Sequence, residues 1–287
     1  MTSPPIQWYP GHIAKAEKSL QEQLKRVDVV LEVRDARIPL ATAHPQVPQW
    51  IGEKGRVLIL NRMDMIPDRA RDEWTDWFRA QGEEPLFTDA QHGKGINAIG
   101  RAAQKVGDKM NQRRRDRGML PRPVRAVVMG FPNVGKSALI NRLLNRRVVD
   151  SARRAGVTRQ LRWVRISDQI ELLDAPGVLP SKLTDQEAAL KLAMCDDIGE
   201  AAYDNQRVTA ALFELMKELQ VEAILQKRYE LAIADLTGES YLHTLAKQRH
   251  RGDVERTARE ILNDFRVGQL GKIALEYPPD PDAQPEG

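Results

Sequence analysis

Gly130-Phe131-Pro132-Asn133-Val134-Gly135-Lys136-Ser137 directly follows the apolar run Val124 to Met129 and precedes a stretch with helical spacing. A GxxxxGKS sequence between a strand and a helix is the pattern of a phosphate-binding loop. Its backbone N–H groups and the helix N-terminus surround phosphate oxygens. Lys136 is placed to reach the β- and γ-phosphates and the Ser137 hydroxyl to ligate Mg²⁺, with Asn133, Val134, Gly135 and Ala138 lining the loop. Nucleotide binding by an α/β fold follows from this stretch alone.

Working outward, near-continuous apolar runs recur at Val27 to Val33, Val57 to Leu60 and Ile170 to Leu173, with helix-length stretches between most of them. That rhythm predicts a mostly parallel sheet. Arg162 to Ile166 alternates and, across Ser167-Asp168, predicts a hairpin with Ile170 to Leu173 at one sheet edge. Helices are expected at about 13–26, 67–81, 96–116 and 136–145, with Pro67 in a first turn. Asp174-Ala175-Pro176-Gly177 comes about forty residues after the phosphate loop, where a DxxG element belongs. Asp174 is a candidate to hold Mg²⁺ through water and the Gly177 N–H to sense the γ-phosphate. Between the two motifs, Thr158 reads either as the threonine that closes over Mg²⁺ or as a plain surface residue.

The base has its own candidate reader ahead of the phosphate loop. Asn61-Arg62-Met63-Asp64 directly follows the run Val57 to Leu60. The Asp64 carboxylate can accept from guanine N1–H and the 2-amino group, donors that adenine lacks, and such a site rejects the wrong base by roughly 10⁴. The usual pattern is NKxD, so Arg62 is a departure whose stem and planar guanidinium can still cover the base. Thr88-Asp89-Ala90-Gln91 fits a degenerate SAK-type loop, in which the Ala90 N–H would meet the guanine oxygen. Asp89 and Gln91 stand there in place of serine and lysine.

The base-reading element therefore precedes the phosphate loop, the reverse of ordinary small GTPases. Circular permutation accounts for this, because loops at the carboxyl ends of strands in one sheet keep their pocket when the termini move. After about Pro180 helical spacing takes over, as in Leu212-Phe213-Leu215-Met216-Leu219. Residues 1–180 are expected to form the permuted domain, 181–278 a smaller all-helical one, and 279–287 a disordered tail. With 287 residues and 41% apolar composition, real cores are affordable in number and size. The single cysteine, Cys195, excludes an internal disulfide and a cysteine zinc site. The N-terminus has neither a signal-type nor a transit-type leader, and no run is long enough to span a membrane, so a cytoplasmic protein is expected. Arg101 to Arg125 holds nine Lys/Arg, and Arg142 to Arg165 eight arginines. Two such runs beside a nucleotide site suit a phosphate-rich polymer; each alone also reads as a solvated helix face.

These residues together resemble the permuted GTPases of the RbgA/YlqF type, which act in assembly of the large ribosomal subunit. Trp8 to Ala16, WYPGHIAKA, is similar to that family's WFPGHMAKA element, and Asp35 to Pro39 to its DARIP element. Arg256 to Glu260 and Phe265 to Gly271 are similar to the end of its RNA-contacting helical domain. The resemblance implies GTP and GDP as ligands and the large ribosomal subunit and its rRNA as partner; no membrane contact and a monomer are expected. It implies His12 as a mobile catalytic histidine, since Val178 stands where many GTPases carry a water-orienting glutamine. It also implies K⁺ near Asn133 as an activator beside Mg²⁺. Trp8, Tyr9, Asp35 and Arg37 read as packing or surface residues, or as support for His12. Two other readings stay open at this point: a nucleotide-gated RNA-binding scaffold with negligible turnover, and a P-loop ATPase or small-molecule kinase, which Asp64 opposes.

Overall fold

The apolar runs form one six-stranded sheet. In a computed structural model, residues 6, 20–144, 162–167, 170–174 and 185–280 are described. The strands are β1 (Val29–Asp35), β2 (Gly55–Asn61), β3 (Leu86–Thr88), β4 (Val124–Met129), β5 (Arg162–Ser167) and β6 (Ile170–Asp174), in the order β3-β2-β1-β4-β6-β5. Every neighbouring pair is parallel except β5 and β6, which make the expected antiparallel hairpin at the edge. The parallel strands therefore all end on one side of the sheet, and the loops that follow them converge there.

Strand ends depart from the sequence expectation at β1. Asp28 directly precedes the strand: its carboxylate holds the Arg122 guanidinium and the Arg125 N–H, its own N–H donates to Arg125 O at 2.8 Å, and its O accepts from Gly55 N–H at 3.2 Å. The strand instead runs on to Asp35, against Asn61 of β2. Within it Glu32 is buried, and is tolerated because Arg34 and Arg56 approach its two oxygens at 2.6 and 2.7 Å.

Helices α1 (Val47–Ile51), α2 (Asp68–Ala80), α3 (Ile96–Asp116) and α4 (Lys136–Leu143) connect or flank the strands. In α2, Ala70, Trp74 and Phe78 recur every four residues and bury one face against Leu58 and Leu60. Pro67 sits one position before the helix, as its cap. The helix α3 has the expected bounds. Of the helix expected at about 13–26, residues 20–24 are helical and 7–19 lie outside the described residues.

Among the described residues five α-helices follow the sheet: α5 (Gln186–Met194), α6 (Asn205–Glu218), α7 (Ala223–Tyr229), α8 (Gly238–His250) and α9 (Val254–Arg266). Asp185, Asp204, Thr237 and Asp253 cap four of them by accepting backbone N–H bonds, the usual reason a short polar residue starts a helix. Val128 and Leu172 of the sheet, Leu192 of α5, Leu212 of α6 and Phe265 of α9 belong to one continuous buried cluster. The chain then returns to the sheet as a strap. Ile273 N–H donates to Met65 O at 2.9 Å, and Leu275 and Glu276 N–H donate to Arg37 O at 3.0 and 3.1 Å. Glu276, in the acidic and proline-rich stretch near the end of the sequence, is buried, with its carboxylate on the Leu40 and Ala41 N–H groups. Among the described residues no helix is long and apolar enough to cross a membrane.

Candidate functional site

Where the strands end, one asparagine gathers three loops. Asn61, the last residue of β2, donates from Nδ2 to Val134 O of the phosphate loop at 2.8 Å. Its Oδ1 accepts from Thr88 Oγ1 at 3.2 Å and from Ala90 N–H at 3.0 Å. Both ends of a buried amide are thus satisfied, so the side chain has one orientation and holds residues 88–90 beside residues 130–137. The Ala90 N–H, expected to meet a guanine oxygen, is donated to Asn61 instead. Arg142 of α4 ties the same loop from the other side through Ala90 O and Gln91 O.

The phosphate loop takes its shape from backbone that ordinary side chains disfavour. Gly135 has φ +100, and a Cβ there would collide with Asn61 Nδ2; at Gly130, with φ +152, it would collide with Val33 O. Asn133 sits at φ +56, the left-handed region that asparagine tolerates. Lys136 is buried and donates from Nζ to Phe131 O at 2.6 Å, so the ammonium is folded back over its own loop. Ser137 and Ala138 are partly exposed in the first turn of α4, where N–H groups have no helical partner. Ladder pairing puts Asp174 of β6 beside Val128 of β4, two residues before Gly130. A serine hydroxyl and a carboxylate at this edge are the oxygen donors that a hard cation such as Mg²⁺ takes. The Asp174 side chain, His12, Thr158 and Gly177 lie outside the described residues.

The base-reading candidate forms a single 3-10 turn, Met63–Met65, after Arg62 at φ +66. Asp64 is partly buried, and its carboxylate lies near Asp89 and His92, the latter two paired at 2.7 Å. Arg62 points to the protein: Nη2 donates to Asn133 O at 2.7 Å, and Nε lies 3.4 Å from Asp35 Oδ2. The guanidinium is therefore anchored between the phosphate loop and the end of β1.

Asp35 and Arg37 are fully buried, not surface residues. Arg37 grips Asp35 through Nε at 3.0 Å and Nη2 at 2.7 Å, donates to Cys195 O at 3.1 Å, and packs over the Phe265 ring. Burial alone would raise the Asp35 pKa, but Arg37 and Arg62 outweigh it and hold the carboxyl below the usual range. Burial likewise works against the Arg37 charge, yet Asp35 holds its pKa above the ordinary arginine value. The pair fastens β1 to α5, α9 and the strap.

A family model described as 50S ribosome-binding GTPase matches residues 125–233. A ribosome biogenesis GTPase A of Bacillus cereus is 34% identical over 95% of this chain and 94% of its own. The chain belongs to the ribosome biogenesis GTPase A family. The fold of GDP-bound YlqF matches with a TM-score of 0.67 at 22% identity, over 91% of this chain and 100% of that one. GNP-bound YlqF from T. maritima matches with a TM-score of 0.65 at 23% identity, over 93% and 99%. Family membership makes this protein a GTP hydrolase, and the fold is a circularly permuted P-loop GTPase.

Three residues next to the family's nucleotide loops escape a reading of motifs. Asp196 O accepts from Asn133 Nδ2 at 2.7 Å, Asp197 is completely buried beside Arg62, and Glu276 holds the loop after β1. An Asp-Asp pair after a helix and a glutamate in a proline-rich tail both look like solvated chain. Only their long-range partners mark them.

Proposed function

We propose that this GTPase binds the maturing large ribosomal subunit and couples hydrolysis to a late assembly step or to its own release. The observation that carries the reading is the Asn61 junction, which joins the base-side and phosphate-side loops although their order along the chain is permuted. Asp64 reads guanine, Lys136 holds the β- and γ-phosphates, and the Gly177 N–H senses the third phosphate. Asn61, Arg62, Met63, Asp89, Ala90, Asn133, Val134, Gly135 and Ala138 complete the nucleotide-binding set. Ser137, Thr158 and Asp174 would hold Mg²⁺, which when bound offsets negative charge on the phosphate oxygens. His12 supplies the proton-accepting group that Val178 cannot. Asn133 keeps its side-chain oxygen for K⁺ while its Nδ2 serves Asp196.

The chain divides functionally near residue 180. Residues 181–278 contact rRNA, helped by the exposed arginines at the end of α3, and the protein acts as a cytoplasmic monomer. The names of its relatives, which speak of ribosome biogenesis and of 50S binding, support this partner. GTP turnover in potassium buffer, with and without purified large subunits, tests it. Stimulation by large subunits and not small ones, lost on His12→Ala, is expected. Equal rates with either subunit would overturn the partner, and an unchanged His12→Ala rate would overturn the catalytic assignment.

A further inference from the structure

A buried acid pair stands behind the nucleotide loops, and the departure from the usual lysine falls beside it. Asp35 ends β1, and Asp197 follows α5; both side chains are completely buried. Asp35 is gripped by Arg37, whereas neither oxygen of Asp197 has a hydrogen-bond partner among the described residues. Arg62 Nη2 lies 4.0 Å from Asp197 Oδ1, and Arg62 Nε 3.4 Å from Asp35 Oδ2. The same guanidinium donates to Asn133 O, and Asn133 Nδ2 donates to Asp196 O, each at 2.7 Å. The phosphate loop is thus tied twice to the turn that follows α5, once through a side chain of its own and once through Arg62.

We propose that Arg62 is a positioning residue that couples the phosphate loop to the helices after the sheet, and that Asp197 is what makes arginine necessary at this position. The proposal rests on reading residues 130–137 and 61–64 as the nucleotide loops. A guanidinium spreads its donors over a planar fork, so one edge can hold a carbonyl while another faces carboxylates. An ammonium is a compact point charge and serves one side at a time. Asp35 and Asp197 share a low-dielectric interior where a second negative charge beside the first is strongly disfavoured, and Arg62 is the cation that faces both. Burial first, and then Asp35, raise the Asp197 carboxyl well above the usual range, against the opposing pull of Arg62 and Arg37. A shift of the turn after α5 moves both ties on Asn133 together, so the position of the helices is felt where phosphate binds.

A double-mutant cycle on the full chain tests this, read by titration with fluorescent GDP and by thermal melting. Arg62→Lys is expected to weaken GDP binding about tenfold, the loss of a charge-assisted hydrogen bond. Asp197→Asn alone is expected to change it by less than about twofold, since the amide keeps the shape of a carboxyl group that has no hydrogen-bond partner among the described residues. The double variant is expected to recover most of the Arg62→Lys loss, because one buried carboxylate no longer needs the second edge of the fork. Arg62→Gln, which keeps a donor for Asn133 O, should be rescued in the same way and serves if the lysine variant fails to fold. Wild-type affinity in Arg62→Lys, or double variants no better than the single ones, would overturn the coupling. Lys136→Ala separates the two readings. If it retains GDP binding, the phosphate-loop reading falls; if it loses binding while the cycle is additive, the coupling alone falls.

Discussion

Asp35 and Asn61 lie opposite each other in the ladder, each the last residue of its strand, yet the two strand ends do different work. Asn61 turns to residues 130–137 and to residues 88–90, and its hydrogen bonds join the loops proposed to hold the nucleotide. Asp35 turns the other way, to Arg37, and the bonds of that pair reach α5, α9 and the strap. The lesson is that a polar residue at a strand end marks a junction without saying which neighbour it joins. On one side the neighbour is the proposed ligand site; on the other it is the rest of the protein.

Three experiments would sharpen or break that contrast. The largest effect is expected at the end of β2, where Asp64→Asn should reverse base preference from GTP toward XTP. The swing should be on the order of 10⁴ in relative affinity, because an amide donates where xanthine offers an acceptor. Competition binding measures it, and unchanged selectivity removes Asp64 from the base. At the end of β1, Arg37→Ala should act on stability: stranding the buried Asp35 costs about 3–5 kcal/mol, seen as a lower urea midpoint. A variant as stable as wild type but defective in nucleotide binding would put Arg37 with the ligand loops and erase the contrast.

The smallest effect concerns the strap. Burial raises the Glu276 carboxyl above its ordinary value, although Lys191 and the Leu40 and Ala41 N–H groups oppose this. A group with a raised folded-state pKa contributes most below its unfolded value, about 4.3, and loses that contribution as pH rises through the folded value. Wild type should therefore lose stability relative to the non-titrating Glu276→Gln as pH rises from the acid side. The gap in melting temperature should close or change sign as pH rises from about 4.3 through the folded-state value. A gap independent of pH would mean that Glu276 titrates as it does in the unfolded chain.

Much of the sheet was legible because parallel strands buried on both faces read as apolar runs, and the edge hairpin because its outer strand alternates. Where the reading slipped, a long-range contact was responsible. The Asp28 carboxylate, just before β1, holds Arg122, ninety-four residues away, and the Ala90 N–H meets a side chain twenty-nine residues upstream. Arg62 was read as a cover for the base from its chemistry. Its direction toward Asn133 and Asp35 depends on strands whose adjacency a motif does not state.

By itself the sequence determined the phosphate loop, the order of the nucleotide motifs and hence the permuted sheet. These are local: a loop that wraps phosphate needs small residues and a lysine at fixed spacing, wherever the chain is cut. Only the tertiary structure decided the fate of Asp35, Arg37, Asp197 and Glu276. Arg37 meets Cys195 O across 158 residues, and Glu276 meets the Leu40 N–H across 236. A charge is a surface feature or a buried tie according to what packs over it, and that is set by elements far apart in the chain.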